Sequence, residues 1–410
     1  MIECLIDHGD SDLVHERFMW RKSPDDKNSN IDFIIEIPEE YFELYLERFI
    51  KDWSAGNVRV IFENNNMKIP LFRQQLLQHL KQLDKSQQET YASANDTVLP
   101  KGHQGSGDTP LIRACYHGYT DMVQWMFQND VDVNQSGNDG VTGLFIASQN
   151  GHTDIVMMLL ERNPNIDLCR KDGCSPLLLA NQNGHTDIVR LLLERNPNID
   201  LCSKRTGCRP LYYASKNGHT EIVKLLLERN PNIDLCQNDG CSPLNIASQN
   251  GHTDIVKFLL ERNPNIDLCR NDGCSPLCMA SQNGHTEIVN LLLEKNPNID
   301  ICDENGWSPL RQGSENGHTE IVKLLLERNP NVDLCDNEGR SPLYIASWEG
   351  HTDIVRLLLE RNPNVDICDN EGRSPLYIAS REGHTDIVWL LLDIGRIGIY
   401  YVDLSDIHGL

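Results

Sequence analysis

The chain has 410 residues, 39% apolar and 24% charged, ordinary values for a folded protein but a length that favours several domains or a repeat array over one core. Its net charge of −23, with acids spread throughout, disfavours nucleic acid and anionic membrane surfaces as partners, since both are polyanions. No run of about 18 uncharged apolar residues offers a membrane span, and MIECLIDHGDSDLV at the start carries acids where a secretion signal needs bases. A cytoplasmic or nuclear address with reduced thiols is therefore expected.

In chain order, residues 1–87 read as a mainly helical segment. EEYFELYLERFIKDW (39–53) and PLFRQQLLQHLKQLDK (70–85) each carry an apolar stripe at helical spacing, and NVRVIFENNNMKI between them reads as a short strand and turn. Residues 88–107, part of a polar stretch that starts near 86, read as a linker. The apolar stripes need a partner, either the first repeat or a larger domain upstream.

From residue 108 to 395 one unit recurs. Gly-His steps stand at Gly151, Gly184, Gly218, Gly251, Gly284, Gly317, Gly350 and Gly383, spaced by 33 residues except for a 34-residue interval after Gly184. An earlier unit has Gly118-Tyr119 instead, which makes nine (repeats 1–9). In repeat 5, Ser242-Pro243 reads as an N-cap and first helical residue. Asn250-Gly251 ends that helix, Thr253-Asp254 opens a second, and Ile255, Val256, Leu259 and Leu260 form its apolar stripe. Asn263-Pro264 stops it, and Asn271-Asp272-Gly273 reads as a tight hairpin turn. One unit cannot bury its stripe alone, but stacked neighbours bury it continuously. The expected architecture is an all-α solenoid with hairpin turns, followed by residues 396–410 as a tail or lid.

The pattern GCSPLNIASQNGHTDIVKFLL and its siblings resemble the ankyrin repeat. Serine replaces the usual capping threonine, the histidine after Pro-Leu is absent, and Asn-Pro-Asn stands after the second helix for Gly-Ala-Asp. Residues 1–87 resemble the segment before ankyrin arrays in animal STAND-type NTPases. That likeness implies an alternative role as a sensing or regulatory arm of a larger signalling NTPase. The ankyrin resemblance also raises asparaginyl hydroxylation, and of the units only repeat 1 places an asparagine, Asn134, at the matching step.

Candidate chemistry is sparse. The histidines after each glycine are too widely spaced, at about 8–10 Å per repeat, to share a zinc ion, and a hydrogen bond between the two helices is expected of them. Cys174, Cys208, Cys241 and Cys274 face Cys169, Cys202, Cys236 and Cys269 across the turns, and reduced packing residues are expected. Asn95 and Asn134 head glycosylation sequons that matter only in a secretory compartment. No phosphate-binding loop, zinc-protease, serine-hydrolase or dinucleotide motif occurs, so no enzyme and no cofactor or metal are expected.

The copies differ mainly in the turn and the first helix, which in the resembled family line a concave, partner-binding face. On that basis the protein-binding candidates are Trp307, Arg311, Arg340, Tyr344, Trp348, Arg373, Tyr377 and Arg381. A second cluster holds Arg205, Tyr212 and Lys216, with Lys204, Arg209 and Tyr213 beside them. Trp, Tyr and Arg are enriched at interface hot spots, and arginines on an acidic background suit a protein partner with an acidic or phosphorylated surface. The expected function is a monomeric, non-enzymatic interaction scaffold. Arg209 in place of the capping serine predicts an irregular loop at 203–209, and Gly313 in place of an alanine predicts a softer repeat 7.

Overall fold

The computed structural model describes residues 58–94 and 108–393, together with Leu46, Phe49, Ile50, Lys51 and Trp53. The tail 396–410, most of 39–53, and Asn95 lie outside the described residues. Two compact bodies are present, one covering residues up to 147 with 157–164, the other 148–156 with 165 onward. Among the described residues the architecture is all-helical, with a single isolated antiparallel bridge between Ser136 and Thr142.

The first body corrects two expectations. VRVIF is not a strand but helix α1 (Val58–Phe62), because Val58, Ile61 and Phe62 fall at helical spacing on one buried face. The polar stretch after residue 84 starts as a helix as well: after α2 (Pro70–Gln82), Asp84 and Gln87 form a reciprocal capping box that opens α3 (Lys85–Ala92). These helices pack on repeat 1, whose helices are Pro110–His117 and Thr120–Gln128. Trp53, fully buried, meets Phe62 and Trp125 edge-on at 5.5 and 6.3 Å. Arg73 pairs with Asp121 at 2.9 Å and lies over the Tyr119 ring, the residue that stands in place of the repeated histidine.

In the second body each repeat starts as its sequence dictates. In repeat 5, Ser242 Oγ accepts the N–H of Asn245 at 3.1 Å, Pro243 takes the first helical position, and the first helix runs Pro243–Asn250. The second helix, Thr253–Leu260, buries Ile255, Val256, Leu259 and Leu260 to 3% exposure or less. A leucine buried this fully contributes about 1.5–3 kcal/mol, and the same four residue types recur in repeats 2–9. First helices pack on first helices and second on second.

Three local devices hold neighbours in register. After the second helix an asparagine (Asn196, Asn230, Asn263, Asn296, Asn329, Asn362) adopts φ between 50° and 54°, so it supplies the left-handed turn where the resembled pattern has glycine. From His185 onward each histidine reaches across to the neighbouring repeat, which corrects the expected bond between the two helices of its own repeat. His285 Nε2 donates to Gln249 O at 3.0 Å, and its ring covers Gly251, where a Cβ would stand 2.6 Å from Cε1. A carbonyl can only accept, so Nε2 carries the proton. Finally the turn tips are tied together by backbone bonds, such as Glu304 N–H to Asp272 O (2.8 Å) and Asn337 N–H to Asn305 O (3.0 Å).

Candidate protein-interaction surface

Two of the columns that vary between copies lie on the first helix, and the fold gives them opposite fates. The column after Pro-Leu begins Leu178, Tyr212, Asn245, Cys278, Arg311 and Tyr344, and all six are at most 4% exposed. Each sits in the first turn of its helix, against the turn of the next repeat. Of the candidates, Arg311, Tyr344 and Tyr212 are therefore interior residues, which corrects their assignment to a binding face.

Their polar groups are satisfied by the residue 25 positions on. Arg311 Nε donates to Asp336 Oδ2 at 3.0 Å, Tyr344 Oη donates to Asp369 Oδ2 at 2.8 Å, and Gln237 Nε2 donates to Tyr212 Oη at 2.8 Å. Asn245 and Cys278 donate to the carbonyls of Cys274 and Trp307. The signal for this was present in the sequence as paired edits at that fixed offset, arginine with Asp336 and tyrosine with Asp369. Comparing each column only with itself hides it.

The same two carboxylates gather the turn arginines. Arg340 Nε reaches Asp336 Oδ2 at 2.8 Å and a second group of Arg340 meets Glu338. Arg373 Nε reaches Asp369 Oδ2 at 2.7 Å and its Nη1 meets Glu371 at 2.9 Å. Burial alone would push the Asp369 carboxyl up, but hydrogen bonds from the Arg373 backbone and guanidinium and from Tyr344 outweigh it, holding it below the usual carboxylate range. Burial, then the bond to Asp369, pushes the Tyr344 phenol up to about 12. Arg381 pairs with Glu382 at 2.9 Å. None of the C-terminal arginine candidates thus stands as an uncompensated cation.

The second column, two residues before each Gly-His, is different: Gln182, Lys216, Gln249, Gln282, Glu315, Trp348 and Arg381 are half-buried or exposed in every case. From Gln182 to Trp348 their carbonyls receive the histidine bonds, for example His384 Nε2 to Trp348 O at 2.9 Å, so the backbone is pinned while the side chain is left outside. Trp348 packs one edge on Tyr344, Ile345 and Ile378, and Arg340 lies 6.0 Å from its ring. Tyr377 is 52% exposed, and Trp307 is half-buried beneath the Arg311 guanidinium at 4.2 Å. Arg205 and Lys216 are exposed.

Against known families, the sequence matches a model described as ankyrin repeats (3 copies) in overlapping stretches, the first over 72–172 and the last over 314–401, which together run without a gap from residue 72 to residue 401. The chain belongs to the ankyrin-repeat family. Comparison with curated proteins yields no match. The family match bears on the repeats and leaves the STAND-type likeness of the earlier segment unsupported. Ankyrin repeats are generally protein–protein interaction modules, and proteins built from them are typically not enzymes.

Within this ankyrin array, chemistry of other kinds finds little footing. In the polar depression bounded by Thr220, His252, Thr253, Asp254, Lys257 and Glu287, Lys257 is joined to Glu287 at 2.8 Å. No cluster of three His, Cys, Asp or Glu side chains that could hold a metal occurs among the described residues, and no described helix is long and apolar enough to cross a membrane. The cross-turn thiols have separate surroundings: Cys169 and Cys269 donate to the carbonyls of Asp167 and Asp267, whereas Cys208 donates to Gln237 of the next repeat at 3.0 Å. Burial pushes the Cys241 thiol up to about 12, which keeps it protonated and unreactive.

Proposed function

We propose that the chain is a non-enzymatic, monomeric scaffold of the cytoplasm or nucleus. It binds a protein partner on the face shared by the turn tips and first helices of repeats 7–9. One observation carries this reading. The column ahead of the Gly-His steps is surface-facing throughout, and it changes from glutamine in repeats 3, 5 and 6 to Trp348 and Arg381 in repeats 8 and 9 while the Ile-Val and Leu-Leu residues of the second helix stay the same. Trp348 is the anchor, a large flat side chain already held along one edge, so little rotamer freedom is lost on binding. Tyr377 and Arg381 extend the patch, with Trp307, Arg340 and Arg373 at its border. Because the arginines already face carboxylates, aromatic contact rather than charge is the main attraction here.

The test is affinity capture from lysate with the full chain beside a Trp348→Ala, Arg381→Ala variant of equal helicity. A protein held by the first and lost by the second supports this surface. Equal capture by both moves the site elsewhere.

A further inference from the structure

We infer that the turn tips of repeats 3 and 4 form a second docking site, one for an acidic segment of a partner protein, read by Lys171, Lys204 and Arg205 with Lys216 alongside. This rests on the array being a binding platform but uses a surface other than the one proposed for repeats 7–9.

The first observation is a reversal of charge along the tips. At 170–173 and 203–209, Arg170, Lys171, Lys204, Arg205 and Arg209 stand against Asp172 alone. The turns of repeats 7, 8 and 9 instead carry two acids each. Lys171, Lys204, Arg205 and Lys216 are exposed, and none has a salt bridge among the described residues. Three of the four, Lys171, Lys204 and Arg205, are gathered in two adjacent turns of a chain whose net charge is −23.

The second observation is how the tip is built. Other turns close with a bond between the glycine and the residue three before it, as in Gly173 N–H to Arg170 O and Gly240 N–H to Gln237 O. The extra residue of repeat 4 widens its turn by one, so that Gly207 N–H reaches Ser203 O at 2.7 Å. Lys204 and Arg205 occupy the widened part. That backbone is tied on both sides: Lys204 N–H goes to Asp172 O, Asn238 N–H to Thr206 O, and Asn238 Nδ2 to Arg205 O at 3.0 Å. Arg209, which cannot cap its helix, spends its guanidinium on the carbonyls of Gly207 and Cys236, at 3.1 and 2.8 Å. The tip is thus preorganised, with its cations outward and its backbone bonds already made, so binding costs little ordering. Lys216 lies one helical turn beyond the half-buried Tyr213, where the next carboxylate of an extended acidic peptide meets it.

The overall negative charge selects against long polyanions, whose many phosphates feel the whole field, while a short acidic segment feels mainly the nearby cations within a screening length of about 8 Å. A peptide is therefore favoured over nucleic acid. The shared chemistry is an oxyanion, carboxylate or phosphate, held at lysine and arginine.

Fluorescence anisotropy of the full chain tests this with three labelled probes at low and physiological salt: hexaglutamate, the same length carrying phosphoserines, and a single-stranded oligonucleotide of matched charge. The variants are Lys204→Glu with Arg205→Glu, and, as a control of equal charge change away from the turns, Lys295→Glu with Arg328→Glu, both exposed. The expected result is peptide binding that weakens with salt, falls about tenfold in the first variant and is unchanged in the second. The better of the two peptides tells carboxylate from phosphate. No peptide binding at low salt, equal weakening by both variants, or an oligonucleotide bound as tightly as the peptides would overturn the inference. Loss of the peptide site with partner capture through Trp348 intact removes this inference alone, and the converse result removes only the reading of repeats 7–9.

Discussion

Repeats 3–4 and repeats 7–9 share one scaffold, the same second-helix stripe and the same histidine bond, yet they use the first residue of the turn in opposite ways. In repeats 8 and 9 that residue is Asp336 or Asp369, nearly fully buried, and it draws inward both the preceding repeat's Arg311 or Tyr344 and its own turn's Arg340 or Arg373. In repeat 3 it is Arg170, which pairs with Asp172 of its own turn, and in repeat 4 Ser203, a neutral group that leaves Lys204 and Arg205 facing water. The outward charge of a tip is thus decided by what the turn keeps inside. Arginines that look like a binding surface in one region are fasteners, and the smaller basic cluster in the other is the free one.

The largest expected effect that would break this contrast is at Asp336. Asp336→Ala leaves the buried Arg311 with only the part-exposed Glu315, 2.8 Å from its Nη1, and should cost up to about 3–5 kcal/mol in denaturant unfolding, the range for a broken buried pair. A cost near zero would mean that Arg311 escapes to solvent and was available to a partner after all. Tyr344→Phe removes one hydrogen bond to a charged group, and about 1–3 kcal/mol is expected.

Acid sharpens the comparison. The Asp369 carboxyl is held below its ordinary value, and Asp172 is held at about 2, chiefly by its hydrogen bond from Arg170. A depressed carboxylate contributes stability above its unfolded value near 3.9, and the contribution is lost as pH falls through the folded value. Both regions therefore weaken below about pH 4, the C-terminal one more, because Asp172 is a third exposed and screened by water. Protection of the Glu371 and Arg373 amides, which bond Asp369, from hydrogen exchange should fall with acid once corrected for their intrinsic rates, and Asp369→Asn should abolish that dependence.

The smallest effect is at Gly313. A Cβ there would meet Val322 Cγ2 at 3.3 Å and Ile321 Cγ2 at 3.4 Å, yet sister repeats hold an alanine against the same Ile-Val pair. Gly313→Ala should stabilise by about 0.5–1 kcal/mol. Destabilisation would show that repeat 7 has closed tighter than its sisters.

Much of this was legible in the residues. Ser-Pro starts, Gly-His stops and the Ile-Val-Leu-Leu stripe set helix boundaries because capping and apolar spacing are local effects, and Arg209 marked the irregular loop at 203–209. The misreadings have local causes too. Val58, Ile61 and Phe62 are β-branched or aromatic and suggest a strand, but their spacing buries one helical face. Both edited columns look alike in a single repeat, since alternation between copies does not reveal which column the next repeat will cover.

What the sequence by itself determined is the repeating unit: its period, its helices, its family and the positions where copies differ, all of which depend on contacts within about 33 residues. Only the tertiary structure decided which differing positions are interior. Whether Arg311 faces a partner or Asp336 depends on a carboxylate 25 residues away, brought within 3.0 Å by stacking. At that distance, out of water, the carboxylate supplies the partner without which a buried guanidinium would be strongly destabilising.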